Sequence, residues 1–353
     1  MKAMLVGGGA SFSVKDVETG YYKALKAAGH DVGLYLLDKR LALAKSYLKH
    51  HWRTVGKPEQ VKPNGDDITY LASEEIAQRA CYFQPDWVIF LAGRMVHPAV
   101  WVALKNVGIK TALIATEAPY DDEWLCNVAP LFDAMFINER CSVESIKAIN
   151  PQTYYLGPGF DPDNHRPTAY DPAEMLVPEH DVIFVGSHFP ERAKMLAQVD
   201  WVGNGIDFAL YGNWKALGSR SPLRYFVTGG VVDNTIAAAL YRRSMIGLNL
   251  YRQGKGWSRN AEPVERAESL NPRAVELAAC GVFTISDYRA EVAEVFGNAV
   301  PTFKTAHELQ NLVYYYLEHD EKRQELAARL PGLIAGHTFN ARVATLVNTL
   351  SEV

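Results

Sequence analysis

Hydrophobic positions along the chain fall into short apolar runs that alternate with longer stretches carrying an apolar stripe on one side only. Ala3-Met-Leu-Val6 is a short apolar strand, and Gly7-Gly-Gly9 and Ala10 to Ser13 follow it. A helix is predicted from about Val14 to Ala28, with Tyr21, Leu25 and Ala28 on its apolar face. Gly29 ends it, and Asp31 to Leu37 forms the next strand. Strand, loop, helix and strand in that order open an α/β sheet. The alternation continues through a helix at Ile68–Phe83, a buried strand at Trp87–Leu91 and a helix at Pro98–Val107 closed by Gly108. Strands at Lys110–Ala115 and Asp133–Ile137 and the short run Tyr154–Leu156 complete this half.

Gly157–Pro162 is rich in glycine and proline, and four prolines between Pro162 and Pro178 mark a linker. The pattern then restarts, with strands at Asp181–Val185, Ile206–Tyr211 and Ile246–Tyr251 and helices at Pro190–Val199 and Asn234–Arg243. Leu309–Arg329 reads as one long amphipathic helix, and Phe339–Leu350 as a last one. The expected class is therefore α/β, with two Rossmann-like open-sheet domains facing a cleft. The domains are placed at residues 1–165 and 166–335, with a C-terminal helix in 336–353.

One stretch of the second domain carries candidate chemistry. In Glu268–Gly281, Asn271 is a favoured helix N-cap and Pro272 suits the first helical position. Gly281 stands where a left-handed residue closes a helix of about two and a half turns, and Val282–Ile285 reads as a strand. Free N–H groups and the helix dipole make the start of such a helix an anion site. Arg273 adds a bidentate phosphate donor there, and Glu276, one turn in, can accept hydrogen bonds from the hydroxyls of a ribose. A capped surface helix whose acid suits the dipole explains the same local pattern.

At 353 residues the chain has room for two domains, and 48% hydrophobic with 22% charged residues is an ordinary globular composition. A net charge of −4 makes no global case for nucleic-acid binding. Cys81, Cys126, Cys141 and Cys280 show no metal or disulfide spacing and are expected to be reduced thiols. Met1–Val6 runs straight into a strand, so no signal peptide is expected; with no long apolar run either, the expected location is the cytoplasm. The Gly7–Gly9 run lacks dinucleotide spacing, with Asp38 a weak ribose partner, and is read as letting a ligand approach the strand ends.

Charge is uneven in one place. Between Lys39 and Lys62 stand Lys39, Arg40, Lys45, Lys49, Arg53, Lys57 and Lys62 against the single acid Glu59, with His50, His51 and Trp52 among them. A basic stretch interleaved with an aromatic suits a polyanion, and DNA is one expected partner. A solvated helix face is the plainer reading.

Several motifs together resemble a known family. Glu268 and Glu276 are separated by seven residues, like the E-x7-E element of retaining GT-B glycosyltransferases. Ile183-Phe-Val-Gly-Ser187 with Glu191-Arg192, Leu210-Tyr-Gly212, Leu248-Asn-Leu250, Asn271-x-Arg273, Glu276-x-x-Ala-Cys-Gly281 and His337-Thr-Phe-x-x-Arg342 resemble the CgeB-like glycosyltransferase group. Thr116-Glu-Ala-Pro-Tyr120, Asn138-Glu-Arg140 and Tyr155-Leu-Gly-Pro-Gly159 are similar to the same group. The chain departs from it at Val275, where an aromatic is usual, and in a long polar insert from Gln253 to Ala267.

The resemblance implies a GT-B enzyme that moves a sugar from a nucleotide diphosphate, a UDP-sugar by expectation, to an acceptor hydroxyl. The C-terminal helix would pack back on the first domain. Glu276 would bind the ribose, and Asn271 and Arg273 the diphosphate, with Gly186, Ser187 and Arg192 beside it. Val231 and Val232 would lie near the base, and Glu268 near the transferred sugar. Cationic side chains and helix amides can neutralise a leaving diphosphate, so no metal or other cofactor is expected. Asp121-Asp122 is read as loop polarity and not as a metal-binding pair. For the acceptor proton the candidates are Glu117, Asp16, Arg94 and His97, Glu117 first because it directly follows a strand; His97 before Pro98 reads as a capping residue. In a retaining reaction, the outcome favoured here, the leaving phosphate can take that proton itself. Arg94, Lys45, Lys49 and Arg53 form the acceptor side, where the acceptor is a hydroxylated base in DNA, a glycan or a protein. A GT-B epimerase or phosphorylase, or a non-catalytic nucleotide or nucleic-acid binder, are the competing classes.

Overall fold

The computed structural model describes residues 1–9, 12–54, 62–168, 172–254, 262–264 and 266–353. Lys57, Glu59 and most of the polar insert therefore lie outside the described residues. The chain forms two compact α/β units, one of Met1–Leu156 with Phe339–Val353 and one of Gly157–Thr338.

The first unit contains β1 (Lys2–Val6), α1 (Phe12–Ala27), β2 (Asp31–Tyr35), α2 (Leu37–Thr54), α3 (Gly65–Phe83), β3 (Trp87–Leu91), α4 (Ala99–Asn106), β4 (Lys110–Ile114), α5 (Asp122–Val128), β5 (Ala134–Ile137), α6 (Arg140–Lys147) and β6 (Thr153–Tyr155). Its strands are parallel in the order β2-β1-β3-β4-β5-β6. Every residue of β3 and β5 is buried, as expected of a parallel sheet covered on both faces. Met4, Val6, Phe90 and Leu113 pack on α3 and α4 on one side. Leu5, Ile89, Leu91 and Phe136 meet α1 on the other, joined there by the C-terminal helix Phe339–Glu352. That helix lies so close that a Cβ on Gly20, in mid-α1, would come within 2.2 Å of the Phe339 ring. Glycine, otherwise a weak helix former, is needed at that spot.

The second unit contains β7 (His180–Val185), α7 (Pro190–Leu196), β8 (Phe208–Tyr211), β9 (Val227–Gly229), α8 (Asn234–Arg242), β10 (Ser244–Asn249), α9 (Pro272–Ala279), β11 (Thr284–Asp287), α10 (Ala290–Phe296), β12 (Thr302–Phe303), α11 (Ala306–Glu318) and α12 (Asp320–Leu333); the C-terminal helix is α13. The sheet, again parallel, runs β12-β11-β10-β7-β8-β9. Ile183 and Ala209 face α8 and α9, while Phe184, Leu210 and Leu248 face α7, α11 and α12.

Two expectations need correcting. The single helix at Leu309–Arg329 is two, because His319 leaves helical geometry at φ −115°, ψ 68°. Asp320 and Glu321 then start α12 at the end where acids suit the dipole. The proline-rich linker is docked on the second unit, which begins at Gly157 where the sequence reading set 166. Arg242 of α8 donates to the carbonyls of Asn164 and Arg166 and pairs with the buried Glu174 at 2.7 Å.

His165 in this docked segment is only 2% exposed, and burial pulls its pKa down to about 4, with Asp161 opposing and Arg242 assisting. Its unfolded value is higher, so between the two values the unfolded chain holds the extra proton. The contribution of His165 is therefore full at neutral pH and falls as pH drops through about 6.5 toward 4. We expect the change in stability from urea unfolding between pH 7 and pH 5 to be less favourable by about 2 kcal/mol in wild type than in His165→Gln. An equal pH dependence in wild type and variant would contradict this.

Candidate functional site

In the second sheet the strand order reverses between β10 and β7, and open α/β sheets bind ligands outside the carboxyl ends of the strands at such a reversal. The α9 helix begins there. Asn271 has extended geometry at φ −105°, ψ 166°, and its side chain accepts the Ala274 N–H at 3.0 Å, with Pro272 at the first helical position. Gly281 follows the helix at φ +68°, as a left-handed closing residue should.

Arg273 ties this helix end to both strands. Its Nε donates to the Val185 carbonyl at 2.6 Å and Nη1 to that of Leu250 at 3.2 Å, and the guanidinium lies 4.6 Å from the Phe184 ring centre. Those donors are occupied by strand ends, so Arg273 is less exclusively a phosphate donor than its sequence position implies. Gly186 is fitted to it, since a Cβ there would stand 2.4 Å from Arg273 Nη2. The Gly186 N–H donates to Tyr211, and Gly212 at φ +125° packs so tightly that its Cβ would meet the Gly186 oxygen at 2.3 Å. Gly212 also donates to Gly230 at 2.9 Å, which draws the loop carrying Val231 and Val232 to the same corner. Arg192 is buried between Phe184 and Phe189 and donates to the Ser187 carbonyl at 3.0 Å. Gly186, Ser187, Arg192, Asn271 and Arg273 are thus brought together, with Val231 and Val232 joined through Gly212.

Glu276 is partly exposed on α9. Its negative charge reaches two buried groups, the Tyr241 hydroxyl and the Cys280 thiol, and helps burial hold both up, the thiol at about 12. Glu268 is positioned by α10: the Glu291 N–H donates to its carbonyl at 3.0 Å, and Glu291 Oε2 accepts the Leu270 N–H. Its carboxylate pairs with Arg266 at 2.5 Å. It lines a cavity of about 610 Å³ at the carboxyl ends of β11 and β12, together with Tyr288, Arg289 and Lys304. A cavity of about 400 Å³ beside it is lined by Glu191, Arg192, Lys194 and Thr305.

Asp287 borders both cavities and was not foreseen. It accepts the Tyr251 N–H at 3.0 and 3.1 Å; burial raises its pKa to about 6, against that hydrogen bond and the charges of Arg289, Arg192 and Arg273. Its place at the end of an apolar run was the available signal.

The first sheet reverses between β1 and β3. Arg94, just past β3, is paired with Asp121 through two hydrogen bonds of 2.9 and 2.7 Å and stacks on Trp124 at 5.0 Å. The hydrogen bond to Asp121 raises its pKa, and nearby Glu117 adds to this. Ala92 and Gly93 turn the chain toward Arg94 with φ of +57° and +71°. His97 Nδ1 accepts the Ala99 N–H at 3.2 Å at the start of α4. Asp16 lies partly exposed on α1. Lys45, Lys49 and Arg53 share α2, away from these residues in sequence and on another element. Glu18 was missed, although an acid in register with Tyr21 and Leu25 is a visible anomaly. It is buried against Gly7 and ion-paired to Lys15 at 2.5 Å, and burial raises its pKa.

Among the described residues no cluster of three or more His, Cys, Asp or Glu could hold a metal ion, and no helix is long and apolar enough to cross a membrane.

Residues 191–348 match the family model described as Glycosyl transferase-like. The chain is 24% identical over 258 residues to the spore protein CgeB of Bacillus subtilis (strain 168), covering 70% of this chain and 76% of that protein. Among solved structures it is similar to the sucrose-phosphate synthase of Thermosynechococcus elongatus, with a TM-score of 0.65, 12% identity and coverage of 100% and 99% of the two chains. An α,α-trehalose 6-phosphate synthase from Burkholderia multivorans gives 0.59 and 11% over 99% and 98%. A UDP-N-acetylglucosamine 2-epimerase gives 0.58 and 12% over 99% and 95%. At these identities the structural likenesses establish the fold.

Proposed function

We propose that this chain, a GT-B glycosyltransferase of the CgeB-like group, moves a sugar from a nucleotide diphosphate, UDP in the first instance, to an acceptor hydroxyl. The observation that carries the reading is the corner where the start of α9 meets Gly186 through Arg273, at the point where the second sheet reverses. A diphosphate there would meet helix N–H groups and the guanidinium groups of Arg273 and Arg192. Glu276 would accept from the ribose hydroxyls, and the backbone at Val231 and Val232 would meet the base. Glu268, lining the larger cavity, would face the sugar. Uridine is favoured by the UDP-sugar in the name of the similar epimerase.

Helix amides and arginines suffice to stabilise the leaving diphosphate, so the reaction needs no metal in this scheme. Configuration is retained, the leaving phosphate taking the acceptor proton. Glu117, with Asp16, is the first-unit alternative for that step, and Glu117 already sits in the electrostatic reach of Arg94. Cytoplasmic placement goes with this reading, because nucleotide sugars are its substrate. A hydroxylated base in DNA is the acceptor favoured over a glycan or protein hydroxyl, on Lys45, Lys49 and Arg53 of α2, which have no ion pair among the described residues.

Incubation with a panel of UDP-sugars, read by UDP release and product mass, tests this. Slow UDP release without acceptor, and faster release with one, is expected. Isomerisation of the sugar without UDP release would assign an epimerase instead, and no turnover of any donor would remove the reading.

A further inference from the structure

The α2 helix carries a pocket of its own, separate from the donor corner. Lys45, Lys49 and Arg53 recur at four-residue spacing and therefore share one face of the helix. Leu48 and Trp52 form the adjacent stripe. With Lys62, Pro63 and Ile68, from the approach to α3 and its first turns, they enclose a cavity of about 260 Å³. The floor is apolar and the rim is four cations.

Those cations have no ion-pair partner among the described residues. Among the described residues no acid lies within ion-pair distance of Lys45, Lys49, Arg53 or Lys62, whereas Arg40 and Arg79 at the other end of the α2–α3 pair both bind Glu75 at 2.8 Å. The acids at the start of α3 are engaged elsewhere: Asp67 closes the Asn64 cap, and Asp66 faces His97 at 3.6 Å. A fold that needed only a solvated helix would gain nothing from gathering four like charges around an apolar hollow, since like charges repel. A free phosphate would not need the hollow, and an apolar peptide would not need the charges.

We propose that this pocket binds a nucleic-acid strand, with an unpaired base against Trp52 and Leu48 and the backbone phosphates on the four cations. Lys45 to Arg53 spans about 12 Å of helix, a length along which one strand places about three phosphates. Unpaired bases are held on aromatic side chains in this way, with affinity set by phosphate contacts and therefore by salt. Binding stands apart from donor recognition; only its use as an acceptor site rests on the glycosyl-transfer reading.

The test is fluorescence anisotropy of a labelled, mixed-sequence single-stranded DNA with the full chain, titrated over a range of salt. Wild type should bind at low salt and weaken steeply as salt rises. The triple variant K45A/K49A/R53A should bind more weakly, and the slope of log affinity on log salt should shrink by about 2, since each lost contact removes about 0.7 on a single strand. Trp52→Ala should cost about tenfold at every salt concentration with the slope unchanged, because stacking releases no counterions. Trp52→Phe, which keeps a flat face and spares the packing, should retain most of the affinity. No binding by wild type at low salt, or binding unmoved by the triple variant, would overturn the proposal. So would equal binding of an acidic peptide of the same charge, or a Trp52→Ala variant that folds and binds as wild type does. UDP-dependent stabilisation of wild type in the same samples reports the donor site separately, and its absence would overturn the donor reading while leaving this result standing.

Discussion

Gly212→Ala is expected to destabilise the second unit by about 2–6 kcal/mol and to abolish donor binding. Two independent costs add at this residue. Its φ of +125° is a conformation that side chains rarely adopt, which costs on the order of 1–3 kcal/mol. The new Cβ would also stand 2.3 Å from the Gly186 carbonyl oxygen and 2.7 Å from its carbon, both backbone atoms that no rotamer change can move. Gly186 would have to shift, and Arg273 rests against it. Gly205→Ala separates the two terms, because its φ is +63° with nothing within 4 Å of the added carbon, so only the strain remains. Urea unfolding should show a small loss for Gly205→Ala and a large one for Gly212→Ala. Equal losses would mean that the contact between the β7 and β8 loops is not as tight as described.

Glu276→Ala should have the opposite profile, with a loss of nucleotide affinity on the order of a hundredfold and an almost unchanged fold. Charge-assisted hydrogen bonds are worth about 1.5–3 kcal/mol each, and a ribose offers two hydroxyls, so at least tenfold should be lost even if one bond is replaced by water. Stability should hold because the Glu276 carboxylate sits on a partly exposed face and adds to the unfavourable environment of the ionised forms of Tyr241 and Cys280. A variant that unfolds, or that keeps full nucleotide affinity, would move the ribose site elsewhere.

The α9 helix could be read in advance because its signals are local. Asn271, Pro272 and Gly281 act on their own backbone, and the structure uses each as its chemistry dictates. The restart of the strand–helix alternation after Pro178 likewise depended only on neighbouring residues. What could not be read was anything set by long-range approach. Arg273 looked like a free phosphate donor because nothing near it in sequence shows that Val185 and Leu250 end beside it. Arg94 looked free for the same reason, Asp121 lying on a different loop. The linker failed differently: prolines announced an irregular path, and Arg242, far along the chain, decided that the path is pinned to the second unit. Short strands such as Thr302–Phe303 carry too little pattern to see at all.

The proposed function requires that the second unit hold a nucleoside diphosphate at the start of α9. Calorimetric titration of UDP into wild type and into Glu276→Ala, both shown folded, tests it most directly. A single saturable site is expected in wild type, with affinity lowered at least tenfold in the variant. Saturable binding of equal affinity in both proteins, or no nucleoside diphosphate binding to wild type at all, would contradict it.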